Sequence, residues 1–167
     1  YREAPKNLTG FHYVRGDVNG VEAGLVTIDG VKYLQGTVES GTGLVLNLYY
    51  DRDSYGYVFR FLEEGTDEVL ANPVEGSALY ESQVTERAKT IPGYVLVGPA
   101  QSQTIKIGTS DNERTFYYKE ADVTILYKAV TEDMGSVSLG SESIKAIQGD
   151  ADGSTPTAED GYEFKGW

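Results

Sequence analysis

The chain contains no cysteine, which excludes disulfides, thiolate metal sites and a cysteine nucleophile together. It holds one histidine, His12, too little imidazole for a histidine-built zinc site. Basic residues are scarce, 14 Lys and Arg against 26 Asp and Glu, for a formal net charge of −12, and they form no cluster. Phosphate backbones are tracked by basic patches, so this balance argues against a nucleic-acid partner, and an acidic surface is repelled by anionic membranes. No apolar run reaches the length needed to cross a bilayer. Small animal extracellular domains are usually disulfide-dense, so a chain without cysteine but rich in Tyr and Gly points instead to a bacterial surface. The chain opens at Tyr1 without a signal peptide, and is expected to be excised from a longer protein.

What is present is turn and strand material, with 20 glycines and 13 tyrosines. The tail of one strand, Leu48-Tyr49-Tyr50-Asp51-Arg52, returns as Phe116-Tyr117-Tyr118-Lys119-Glu120. Gly93-Tyr94 returns as Gly161-Tyr162, and 117 − 49 and 161 − 93 both equal 68. Two landmarks sharing one period indicate a tandem array of small modules, with expected bounds 1–54, 55–120 and 121–167. Strand periodicity puts Leu44, Leu46, Leu48 and Tyr50 on one face and Val45, Asn47 and Tyr49 on the other. Tyr50 and Tyr118 are therefore expected inside, Tyr49 and Tyr117 outside.

The links after the two echoed strands, Asp51–Ser54 and Lys119–Asp122, are too short for flexible tethers and read as stiff junctions. Gly76 to Ala88 reads as one short helix, with Ser77 as its N-cap and Leu79/Tyr80, Val84 and Ala88 near helical spacing. Gly10 to Gly93 spans 83 residues, 15 beyond the period, and the surplus is assigned to 16–20 and 24–28 with a hairpin turn at Asp29-Gly30. The last module stops short of its Phe-Tyr-Tyr strand, which leaves an edge open and implies that the natural protein continues.

The runs Gly36 to Asp53 followed by Tyr57-Val58-Phe59, and Ile91-Pro92-Gly93-Tyr94 followed by Thr115-Phe116-Tyr117-Tyr118, resemble mucin-binding-protein (MucBP) repeats. Gly135-Ser136-Val137-Ser138 through Gly153 to Gly161-Tyr162-Glu163-Phe164-Lys165-Gly166-Trp167 resembles the related internalin-type B-repeat. The resemblance implies a mostly β fold with a short helix (α+β), built as tandem β-grasp (ubiquitin-like) repeats arranged end to end. It also implies a monomeric, non-enzymatic stalk of a secreted, wall-anchored Gram-positive adhesin, without cofactor, whose partner is host mucin or another glycoprotein. An immunoglobulin- or host-protein-binding module and an accessory domain of a surface glycoside hydrolase stay open as alternatives. No ligand-binding residue follows from the family.

Individual residues are expected to be structural, with no catalytic, cofactor or metal site. His12, between Phe11 and Tyr13, lacks the company of a triad. Arg15-Gly16-Asp17 spells the integrin tripeptide on an expected loop tip, where turn chemistry explains it equally well. Asp17-Val18-Asn19-Gly20 and Asp150-Ala151-Asp152-Gly153-Ser154 begin like calcium loops, but the twelfth positions are Ile28 and Gly161, so Asx turns are expected. Glu63-Glu64 should point to opposite faces of a solvated strand end. Lys128 and Asn47 are the one pair that raises an isopeptide bond, although Asn47 falls opposite the apolar face.

Overall fold

In the computed structural model, residues 1–167 are described, the side chain of Glu132 excepted. Sixteen strands follow one another: β1 (Arg2–Glu3), β2 (Phe11–Val18), β3 (Val21–Ala23), β4 (Val26–Ile28), β5 (Val31–Gln35), β6 (Leu46–Arg52), β7 (Ser54–Glu63) and β8 (Val69–Leu79). The second half adds β9 (Gln83–Arg87), β10 (Tyr94–Leu96), β11 (Ser102–Lys106), β12 (Glu113–Glu120), β13 (Asp122–Leu126), β14 (Gly135–Val137), β15 (Ser141–Lys145) and β16 (Pro156–Ala158). Six small sheets result, ordered β1-β5-β4, β3-β2-β6, β10-β12-β7-β8, β11-β9, β13-β15 and β14-β16.

This corrects the expected fold class of tandem β-grasp repeats with a short helix. Among the described residues there is no α-helix, only a 3₁₀ turn at Glu132–Met134. The segment from Gly76 to Ala88, read as helix, is the end of β8, a turn at Tyr80–Ser82 and β9, and Ser77 lies inside β8 rather than at a cap. The cause is a degenerate spacing. Tyr80, Val84 and Ala88 are four residues apart, a step that fits a helical face and is also two full strand periods. Burial decides between them, since every even position from Val74 to Ala88 is half-buried and the odd positions from Glu75 to Arg87 are exposed.

Residues 1–59, 73–86 and 102–114 form one compact unit. Its extra chain is two hairpins. Asn19-Gly20 (φ 50° and 83°) closes β2 onto β3, and Asp29-Gly30 (φ 49° and 80°) closes β4 onto β5, as the Asp-Gly signal predicts. Leu34, Phe59, Ile105 and Ile107 are fully buried. The ring of Tyr80 packs edge-on to both Phe11 and Tyr55.

Residues 60–72, 87–101 and 115–167 form the other unit. Its core stacks Phe61 on Phe116, centroids 5.4 Å apart and planes 5° from parallel, with the Lys89 ammonium 4.3 Å above the Phe61 ring. Burying such a ring is worth about 1.5–3 kcal/mol, and an offset aromatic pair adds about 1 kcal/mol. Tyr118 is buried and donates its hydroxyl to the Lys89 carbonyl at 3.0 Å. Of the echoed pairs, Tyr118 is inside and Tyr49 and Tyr117 face out at 39% and 40% exposure, as alternation demands, while Tyr50 is only half-buried.

The 68-residue echo is a recurrence of geometry. Phe11 pairs with Arg52 and Tyr13 with Tyr50, just as Tyr94 pairs with Glu120 and Leu96 with Tyr118. One residue separates each echoed strand from the next, Asp53 before β7 and Ala121 before β13. Asp53 N–H donates to the Gly10 carbonyl at 2.8 Å and its own carbonyl accepts Tyr80 N–H at 2.8 Å. Ala121 N–H donates to Gly93 at 2.8 Å, and its carbonyl accepts Ala146 N–H at 2.9 Å. Gly10, Gly93 and Gly161 have φ of 76°, 81° and 87°, each inside a tight turn closed by the next aromatic's N–H: Phe11 to Leu8, Tyr94 to Ile91, Tyr162 to Glu159. A methyl group on Gly10 would collide with the Tyr80 ring and one on Gly93 with Ile147, whereas around Gly161 the space is open. Gly93→Ala is therefore expected to destabilise by about 2–4 kcal/mol, strain plus overpacking, and Gly161→Ala by about 1 kcal/mol, strain alone. Urea unfolding of the two variants measures the difference; equal losses would refute the packed seat.

Candidate functional site

Arg15-Gly16-Asp17 lies within β2 rather than on a loop tip, and Asp17 is only 4% exposed. Its Oδ1 accepts the Asn47 amide at 2.8 Å and the Gly20 N–H at 3.0 Å, and its Oδ2 accepts the Tyr49 hydroxyl at 2.7 Å. The Arg15 guanidinium sits 3.7 Å from the centroid of the Tyr49 ring. A Cβ on Gly16 would press on Leu34. All three residues of the tripeptide are thus spent on holding β2, β6 and the β2–β3 turn together. The Gly20 bond reaches three residues on, one further than the expected Asx turn, and pins the β2–β3 turn. Tyr49, although on the outer face, is a structural donor capped by a cation, a role that strand periodicity alone does not reveal.

The second calcium-like segment is built around an anion. Glu142 on β15 accepts the Tyr127 hydroxyl at 2.5 Å and the Gly153 N–H at 3.0 Å on Oε1, and the Asp152 N–H at 2.9 Å on Oε2. The loop therefore turns donors inward, the opposite polarity to a cation cage. Among the described residues, no three His, Asp or Glu side chains gather in a metal-binding group.

The remaining candidates are dispersed. His12 Nδ1 lies 2.7 Å from Oδ1 of Asp53, the link residue, in a largely exposed pair. Glu63 and Glu64 do point apart, but Glu63 is buried rather than solvated and accepts the Thr66 hydroxyl at 2.6 Å, which pins the β7–β8 turn. Burial raises the Tyr94 phenol above its usual pKa, and the charges of Glu63, Glu68 and Glu120 push the same way. The Asn47 amide is committed to Asp17, while Lys128 falls beyond the end of β13.

Each unit has a concavity. In the first, an open groove is lined by Leu8, Phe11, Leu48, Tyr50 and Tyr80. In the second, a cleft of about 260 Å³ is lined by Lys128, Val130, Met134, Val137, Tyr162 and Trp167 among others. Trp167 packs edge-on to Tyr127 and Phe164 at 5.2 and 5.4 Å and remains 66% exposed. The sequence signal for this cleft was the third glycine–aromatic turn, Gly161-Tyr162, which carries the aromatic tail back onto β14 and β16.

No family model matches the chain, and comparison with curated proteins and with solved structures yields no match. The mucin-binding-protein resemblance rests on the residues quoted for it.

The two embedded carboxyls give a pH dependence. Hydrogen bonds from Tyr49 and then Asn47 hold Asp17 below the usual carboxylate pKa, and the Tyr127 hydroxyl does the same for Glu142. A carboxyl depressed in the folded state stabilises fully above its unfolded pKa of about 4 and loses that contribution as the pH falls through the depressed folded value. Stability should therefore drop on acidification below about pH 4. Asp17→Asn with Glu142→Gln should flatten this drop while lowering stability at pH 7, read by thermal melts across pH. An unchanged acid limb would refute the assignment.

Proposed function

We propose that this chain belongs to the repeat region of a bacterial cell-surface adhesin, secreted and anchored to the cell wall, where it acts as a stalk. One observation carries the reading: the same link, with the same two hydrogen bonds and the same left-handed glycine, occurs at Gly10/Asp53/Tyr80 and at Gly93/Ala121/Ala146. A spacer grows by repeating a join, so that neighbouring elements contact only neighbours. The acidic balance adds self-repulsion and solubility. The residues with a chemical reputation, Asp17, Glu63 and Glu142, are absorbed in turns and strand contacts.

A second reading, direct contact with host mucin glycans, draws on the exposed rings of Tyr162, Phe164 and Trp167 beside the cleft, since aromatic faces stack on sugars. The stalk reading expects no saturable binding to mucin or a glycan array with a Kd below about 100 µM. Saturable binding that Trp167→Ala abolishes would overturn it in favour of the second.

A further inference from the structure

Asn19-Gly20 is the one Asn-Gly dipeptide in the chain, and it closes the β2–β3 hairpin. Such a pair can modify itself. With no Cβ on Gly20 to obstruct the approach, its backbone nitrogen can attack Cγ of the Asn19 side chain and close a five-membered succinimide ring.

The closed hairpin prevents this in three ways. Both residues are left-handed, with φ of 50° and 83°. In that conformation, with ψ about +47°, the next nitrogen lies nearly opposite Cβ across the Cα–C bond, whereas the ring needs the two on the same side. Second, Gly20 N–H donates to Asp17 Oδ1 at 3.0 Å. A negative charge there opposes loss of the proton that the nitrogen must shed to become a nucleophile. Third, the Asn19 amide is held: its Oδ1 accepts Val45 N–H at 2.7 Å, and its own N–H donates to the Val45 carbonyl at 2.9 Å. The side chain thus serves as one further rung of the β2–β6 ladder, beyond the pairing of Val18 with Leu46.

These restraints are local and the surroundings are wet. Asn19 and Gly20 are exposed, and the space around Gly20 is open. β3 has three residues, stands at the end of its sheet and leaves Val21 71% exposed, so little buried surface opposes its release.

We propose that Asn19 is a self-modification site gated by the β2–β3 hairpin, inert while the hairpin is closed and deamidating when it opens. In the open state the bond from Gly20 N to Asn19 Cγ forms and the Cγ–Nδ2 bond breaks. The Gly20 proton goes to solvent base, and the departing nitrogen takes one from water and leaves as ammonia. Water then opens the ring on either side, giving aspartate or isoaspartate; the balance is one water in and one ammonia out. Isoaspartate adds a methylene to the main chain, which a two-residue turn matched to the pairing of Val18 with Val21 does not accommodate. The change is one-way and places a new negative charge beside Asp17. It goes beyond the stalk reading and does not rest on it.

Incubation at mildly alkaline pH reads the rate, by peptide mass spectrometry for a gain of about 1 Da at Asn19 and by isoaspartate methyltransferase for the β-linked product. The folded chain should react at least about tenfold more slowly than the same chain unfolded in urea. Asp17→Asn, held below its own melting temperature, should react at least about fivefold faster than the parent. Gly93→Ala, in the other compact unit, should react like the parent. In the unmodified chain, hydrogen exchange of the Val45 amide should rise in step with deamidation as urea is added below the unfolding transition. A folded chain reacting as fast as the unfolded one, Asp17→Asn as slow as the parent, Gly93→Ala as fast as Asp17→Asn, or deamidation that does not follow Val45 exchange would each overturn the proposal.

Discussion

The structure hangs on a one-residue link. Asp53, and again Ala121, gives its N–H to a left-handed glycine's carbonyl and takes an N–H from the far end of the following hairpin. Such a residue has no spare backbone group and no slack. It also sets parity: with the link residue fixed, the odd positions of β7 and β13 must face their hairpin partners and the even ones the opposite edge. A slip of one residue would send Phe59 and Phe61 to the surface. Only glycine fits the other half of the join, because φ near 80° coincides with a side chain seated on the Cα.

The acidic composition shapes how carboxylates are satisfied. With few bases to pair, Asp17 and Glu142 are held mainly by neutral donors: a tyrosine hydroxyl each, a side-chain amide for Asp17 and backbone N–H groups for both. These bonds favour the ionised form without the salt sensitivity of a surface ion pair. The more conventional pairs, Lys106–Glu81 and Lys145–Asp122, are exposed and contribute little.

The period, the strand faces and the Asp29-Gly30 hairpin were legible because each rests on local chemistry: a repeated glycine-aromatic turn, alternation, and a dipeptide that tolerates positive φ. The helix over 76–88 misled because a four-residue step satisfies two periodicities, and only the burial of Ala78 and Ser82, small residues with weak apolar signal, separates them. Arg15-Gly16-Asp17 looked like a loop because Asp and Gly are turn formers. Its burial depends on Tyr49 and Asn47, some thirty residues away, a contact that no local window contains. The buried Glu63 escaped for the same reason, since the Thr66 hydroxyl that satisfies it is an unremarkable turn residue in sequence. Of the cleft beside Trp167 only the Gly161-Tyr162 turn was legible, because its walls join Lys128 and Val130 to β14, β16 and the aromatic tail, segments far apart in sequence.

β7 opens at Ser54, β12 closes at Glu120, and the two lie side by side and parallel. A chain pulled from both directions therefore enters this pair at opposite corners. Tension drags the strands lengthwise past each other instead of peeling them apart from one end, so the bonds from Val58 to Asn112 and from Glu64 to Tyr118 share the load and must fail together. Resistance of this kind is a matter of unfolding rate rather than of equilibrium stability. Parallel pairing thus makes the β7–β12 contact a mechanical clamp, loaded in shear whenever the chain is under tension.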